Sequence, residues 1–334
     1  MIRRLLVLLC LGLAVPAVCQ TTLNGAGATF PYPMYSKWFS DYHKLHSDVE
    51  INYQSIGSGG GIRQVLAGTV DFGASDGPMS DEQLAQAKIK ILHIPTVLGA
   101  VVPAYNVPGV STALNFSPEV IADICLGKIS SWNDKAIAKD NPGVNLPDRP
   151  VVVVHRSDGS GTNYIFTDYL SKVSPEWQSR VGKGTSVKWP VGLGAKGNEG
   201  VAGMIRQMDG AFGYVELIYA IQNNIPYGSV RNSAGNWLKG SLEGATAAAA
   251  SVKNMPADFR VSITNAPGKD AYPISSFTWL LIPTQSKDAA RGKILVDFLN
   301  WMLDEGEKET TPLHYAPLPE NVSAKVRDAI KQVH

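Results

Sequence analysis

The chain has 334 residues, 44% of them hydrophobic and 18% charged, with 30 Lys+Arg against 29 Asp+Glu. That balance describes an ordinary soluble globular protein and excludes a disordered, fibrous or multi-span chain. With no basic excess it also excludes a nucleic-acid partner, and at roughly 150 residues per domain the length suits about two domains.

Arg3 and Arg4 precede the apolar run Leu5 to Val18 and the small-residue step Ala17-Val18-Cys19. This is the layout of a cleavable export signal, too short to remain as a span, so residues 1–19 are expected to be removed. Removal takes two arginines and no acid, leaving a net charge of −1 with histidine neutral. Any anion must then be held by local groups. Cys10 leaves with the signal, Cys19 sits at the cut and Cys125 alone remains, so no intrachain disulfide is possible. A lipid anchor on a retained Cys19 would call for a small residue before it, and Val18 is a poor fit.

From Leu23 onward, short alternating or apolar runs are followed by turn residues and then by helical patterns, which reads as an α/β protein. Asn24-Gly25-Ala26-Gly27-Ala28-Thr29-Phe30 leads into Pro31 and a helix striped by Tyr35, Trp38, Phe39, Tyr42 and Leu45. Ile51 to Ile56 alternates like a strand, Gly57 to Gly61 breaks it, and Ile62, Val65 and Leu66 recur at helical spacing. Asp71-Phe72-Gly73-Ala74-Ser75-Asp76-Gly77-Pro78 ends another strand, after which Ser80 and Gln83 form a capping box. Val151 to Val154 reads as a strand buried on both faces. His155-Arg156-Ser157-Asp158-Gly159-Ser160-Gly161-Thr162 follows, opening into a helix with Ile165, Phe166, Tyr169, Leu170 and Val173 on one stripe.

Three glycine-and-hydroxyl loops thus open into helices. A helix N-terminus carries N–H groups without intrahelical acceptors and the positive end of the dipole, so such a loop cradles an anion. Thr29, Ser58, Ser160 and Thr162 add neutral donors, Arg156 can clamp an oxyanion bidentately, and Asp158 can hold the guanidinium. The plain alternative is that Thr29, Ser58 and Ser160 are ordinary N-caps. Asp76 is not needed as a cap. A carboxylate beside an anion makes sense only if the ligand donates a proton, which favours phosphate over sulfate.

Two motifs point elsewhere. Gly73 to Gly77 fits the pattern of a hydrolase nucleophile elbow around Ser75, but Pro78 follows where a helix should start. Gly192-Leu193-Gly194-Ala195-Lys196-Gly197 matches a dinucleotide fingerprint with Glu216 downstream, but Pro190 spoils the strand that must precede it. His43 and His46 are the only histidines at helical spacing, and no metal or cofactor is expected.

NGAGATFP (24–31), GSGGG (57–61), DFGASDGPMS (71–80) and RSDGSGTN (156–163) resemble the signature loops of the periplasmic phosphate-binding proteins that serve phosphate ABC transporters. WPVGLGAKGNEGV (189–201), GYVE (213–216) and YPISSF (272–277) extend the resemblance over nearly the whole mature chain. It implies a type II periplasmic-binding-protein fold, two α/β domains joined by hinge strands around a cleft: 20–98 with 276–334, and 99–275. It further implies that Thr29, Phe30, Ser58, Asp76, Arg156, Ser160, Gly161 and Thr162 bind phosphate, with Asp158 orienting Arg156. The implied partners are inorganic phosphate and an ABC permease with its cytoplasmic ATPase, met by a periplasmic monomer that catalyses no reaction. The rival reading is a secreted phosphatase or phosphate-scavenging relative on the same cradle, which would need a base such as His155 turned inward.

Overall fold

The structure is a computed structural model and describes residues 20–334; the export signal read at 1–19, with its cut at Cys19, lies outside the described residues. The chain opens with alternating units: β1 (Thr21–Gly27), α1 (Tyr32–Leu45), β2 (Val49–Ser55), α2 (Ser58–Ala67) and β3 (Phe72–Ser75). A short α3 (Asp81–Leu84) follows, and Ser80 caps it through the expected box: Gln83 N–H donates to Ser80 Oγ at 3.2 Å, and Ser80 N–H to Gln83 Oε1 at 3.0 Å. The 16-residue β4 (Ile91–Asn106) is buried along nearly its whole length.

Beyond it come β5 (Asn115–Phe116), α4 (Pro118–Cys125), α5 (Lys135–Asp140), β6 (Val152–Arg156), α6 (Gly161–Val173) and α7 (Pro175–Arg180). Then follow β7 (Leu193–Ala195), α8 (Gly197–Gln207), β8 (Ala211–Glu216), α9 (Leu217–Gln222), β9 (Ser229–Arg231), β10 (Trp237–Lys239) and α10 (Leu242–Ala250). The chain ends with β11 (Ser275–Pro283), α11 (Ala289–Asp304) and α12 (Glu320–Ile330). The Ala247 to Ala250 run lies in α10, and β5, β9 and β10 make a small separate sheet.

Strand direction explains where a ligand can sit. The main sheet has the order β2-β1-β3-β11-β4-β8-β6-β7. β1, β2 and β3 are parallel; β11 runs against β3 and β4; β8 runs against β4; β6 and β7 run with β8. So β1 to β3 and β6 to β8 point at each other. Along β4 the partner changes from β11, up to Ala100, to β8, from Val101 on. The carboxyl end of β3 lies level with Pro95, through Trp279, while that of β8 lies level with Val101. Asp76, just past β3, bonds Thr278, which pairs with Val97. Asp76 and the end of β8 are therefore separated by about four residues of β4, roughly 13 Å at ~3.3 Å per residue. Ligands of open α/β sheets sit outside strand carboxyl ends, and here two sets of ends share one space.

Aromatic residues fix the layers on either side. Tyr35, Trp38 and Phe39 of α1 pack with Tyr53, Phe72 and Phe298, and Tyr105, Phe116, Trp132 and Phe212 form a second cluster. Burying such a side chain contributes about 1.5–3 kcal/mol. The expected α1 stripe stops one turn early: Leu45 is 65% exposed. It ends the helix past the core, where the His46 ring packs on Tyr42 instead. Val151 and Val152 are only half-buried, and full burial begins at Val153.

Two glycines of similar appearance should respond oppositely to a methyl group. At Gly99, midway along β4, an added Cβ would lie 2.5 Å from the buried Phe30 ring, so Gly99→Ala should lower stability by about 2 kcal/mol. Gly203 lies inside α8 with nothing within 4 Å, so Gly203→Ala should raise stability by up to about 1 kcal/mol. Denaturant titration of both checks this, and a destabilised Gly203→Ala or a neutral Gly99→Ala would contradict it.

Candidate functional site

The loops after β1, β2 and β3 meet the loop after β6 in the space just described. Thr29, Phe30, Ser58, Asp76, Arg156, Ser160 and Thr162 are each at most 4% exposed. Gly59 N–H donates to Gly159 O at 2.8 Å across the gap. At Gly161 a side chain would collide with Ser58 Oγ and Asp76 Oδ2, so only glycine lets these loops approach so closely. The residues that the resemblance implies as phosphate contacts, with Asp158, lie on these four loops.

Local folding leaves the donors free. The N-cap of α1 is Pro31 and that of α2 is Gly57, at φ 85°, and neither gives a side-chain cap. The ordinary-cap reading therefore fails for Thr29 and Ser58. It holds for Ser160, whose Oγ accepts Asn163 N–H at 3.0 Å. Backbone N–H groups of Thr29, Phe30, Ser58, Gly161 and Thr162 meet no acceptor among the described residues. Buried N–H groups are almost always paired, so five orphans in one cluster call for an acceptor from outside.

Arg156 is the one buried cation among the described residues. Its Nε donates to Asp158 Oδ1 at 2.8 Å and its Nη2 to Oδ2 at 2.6 Å, a two-pronged pair that leaves Nη1 beside Thr162 Oγ1 at 3.4 Å. Burial alone would push the Asp158 carboxyl up, but the guanidinium and the Gly197 N–H outweigh it and hold the carboxyl below its usual range. Asp76 is different. Burial raises its carboxyl to about 7, against the opposing pull of Thr278, Arg156 and Ser58. Thr278 Oγ1 donates to Asp76 Oδ1 at 2.8 Å, and Asp76 N–H donates to Ser58 Oγ at 3.2 Å. The cage thus combines many donors with a single carboxyl able to accept.

Sequence reasoning missed four contributors that arrive from distant segments. Asn198 in the first turn of α8 reaches both Thr29 and Thr162, and Thr278 of β11 holds Asp76. The hydroxyls of Tyr219 and Tyr315 donate to the carbonyls of Thr29 and Phe30, each at 2.6 Å, and pin that loop. Glu216, read as a possible ribose contact, is fully buried as the N-cap of α9, its carboxyl raised by burial and its Oε1 without a partner among the described residues. The fingerprint glycines Gly192 and Gly194 lie at and within β7 rather than in the turn after a strand, so the dinucleotide motif has the wrong context.

Neither residue that the sequence offered for hydrolysis is placed for it. The His155 ring stacks on Trp189 at 4.8 Å and 4° with its Nδ1 beside Arg156 O, turned out of the cage. Ser75 hydrogen-bonds Gly77 O within its own turn, and β3 leads to Pro78 rather than into a helix.

The model of the PBP superfamily domain matches residues 15–305. The phosphate-binding protein PstS of Xylella fastidiosa (strain Temecula1) is 48% identical over 306 residues, covering 91% of this chain and 83% of that one. PstS of Pasteurella multocida is 47% identical over 308 residues, covering 92% and 89%. Among solved structures, a phosphate-binding protein from Stenotrophomonas maltophilia superposes with a TM-score of 0.71 at 19% identity, covering 92% and 94%, which speaks to the fold.

Because the Asp76 carboxyl is raised from 3.8 to about 7, the folded protein holds a proton there that the unfolded chain has released. That contribution is present at low pH and is lost as pH rises through the folded value, on the order of 4 kcal/mol in all. Ligand-free Asp76→Asn should therefore melt higher than the parent at about pH 8, with the difference shrinking toward about pH 5. Calorimetric scans giving a pH-independent difference would contradict this.

Proposed function

The chain belongs to the PBP superfamily and, within it, to the phosphate-binding proteins named PstS; from that premise we propose that it captures inorganic phosphate and delivers it to an ABC-type import permease. The observation that carries the proposal is the convergence of five unpaired N–H groups, the buried Arg156 and the Thr29, Ser58, Ser160 and Thr162 hydroxyls around one carboxyl, Asp76. Donors suit an oxyanion, and charge-assisted bonds in a dry cage replace its hydration. The Asp76 carboxyl needs a proton between itself and the ligand. Phosphate carries one near neutral pH, whereas sulfate does not and is repelled by like charge.

In this reading Thr29, Phe30, Ser58, Asp76, Arg156, Ser160, Gly161 and Thr162 contact phosphate and Asp158 orients the guanidinium. Two lobes, 20–98 with 276–334 and 99–275, close on the ion by hinging where β4 changes partner, which supports placing the crossing near Ala100. The protein acts in the periplasm as a monomer after loss of its signal, meets permease subunits driven by a cytoplasmic ATPase, and performs no reaction. A cage that encloses the whole ion leaves no room for an ester substituent, which supports transport over phosphatase chemistry.

Titration calorimetry tests this. Phosphate and arsenate should bind and sulfate should not. Asp76→Asn, which places an N–H where a carboxylate stood, should weaken phosphate and admit sulfate. Arg156→Ala should weaken phosphate at least ~30-fold, mostly through faster release. Sulfate still excluded from Asp76→Asn, or an unchanged off-rate in Arg156→Ala, would remove those residues from the site.

A further inference from the structure

Resting on the oxyanion-receptor reading, we infer that Asn198 is a positioning residue: by filling the lone pairs of Thr29 and Thr162 it commits both hydroxyls to donate to the ligand. The amide orientation is fixed by its neighbours. Glu216 N–H, which can only donate, lies 3.0 Å from one side-chain atom, so that atom is Oδ1 and the other is Nδ2. The Nδ2 then donates to Thr29 Oγ1 at 2.8 Å and to Thr162 Oγ1 at 3.0 Å. Thr29 Oγ1 also faces Asn198 N–H at 3.3 Å, and Thr162 Oγ1 also faces Arg156 Nη1 at 3.4 Å.

Each hydroxyl oxygen therefore sees two groups that can only donate, and a hydroxyl has two acceptor lone pairs and one proton. Neither Thr29 nor Thr162 donates to any acceptor among the described residues. Both protons are left for the guest. Asn198 is fully buried, at 0% exposure. A free threonine hydroxyl in a cleft can rotate to accept or donate; these two cannot, and the cage accordingly discriminates by proton direction as well as by charge. Asn198 also ties Thr29, beyond β1, to the opposing β6–β8 set.

The test separates polarity from packing. Asn198→Asp keeps the shape and the acceptor for Glu216 N–H but turns the donor into a second acceptor, so the Thr29 and Thr162 protons swing toward the new carboxylate. Asn198→Ala merely frees them. At about pH 8, phosphate affinity should fall at least ~100-fold in Asn198→Asp and only ~10-fold in Asn198→Ala. Equal losses, or the reverse order, would overturn the inference. Because the Asn198→Asp carboxylate also repels an anion by like charge, Thr29→Val in the parent and in Asn198→Ala decides between repulsion and proton direction. The loss should be clearly smaller in the second background, and equal losses would overturn the assignment. Failure of the parent itself to bind phosphate would instead sink the receptor reading.

Discussion

An oxyanion can leave water only where its hydration is replaced by donors that already point inward, and a folded chain rarely has spare buried donors. This protein obtains them from the way its helices begin. Thr29 and Phe30 precede α1, Ser58 opens α2, and Gly161 and Thr162 open α6, so the N–H groups that each helix cannot use are the ones that remain. The opposed strand directions on the two sides of β4 then bring these starts to one point. Neither feature suffices alone: a single helix start is common, and opposed strand ends without free amides would enclose an empty polar gap.

Charge is arranged with equal economy. Arg156 is already matched by Asp158, so the cage is not strongly cationic, and its grip depends on direction rather than net attraction. Asp76 breaks the pattern of donors. Its buried carboxyl, held near neutrality in its titration, is able to share one proton with a guest. Thr278 behind it and Ser58 beside it keep it facing the cluster. Asn198 extends the same logic to the hydroxyls, whose proton directions are decided by neighbours that can only give.

The loops were legible in the sequence because glycine, hydroxyl and helix-stripe signals lie within ten residues of one another. Gly57-Ser58 before the Ile62 and Val65 stripe, and Ser160-Gly161-Thr162 before Ile165, announce both the turn and its chemistry. What supports those loops was not legible. Thr278 meets Asp76 across 202 positions and Asn198 meets Thr29 across 169, contacts made only by strand order and register. Asn198 did lie inside the GNEGV stretch that carries the family likeness, but nothing local distinguishes its amide from a helix-start residue facing water. Leu45 shows the complementary error: periodicity marks a face, and only the fold decides where the core beneath it ends.

The most direct test follows the backbone amides themselves through a phosphate titration by proton–nitrogen correlation NMR. The resonances of Thr29, Phe30, Ser58, Gly161 and Thr162 should shift downfield together and stop moving at one equivalent, because all five donate to one ion. Shifts confined to the amides on one side of the cleft, or reaching saturation at different concentrations, would contradict a single shared cage.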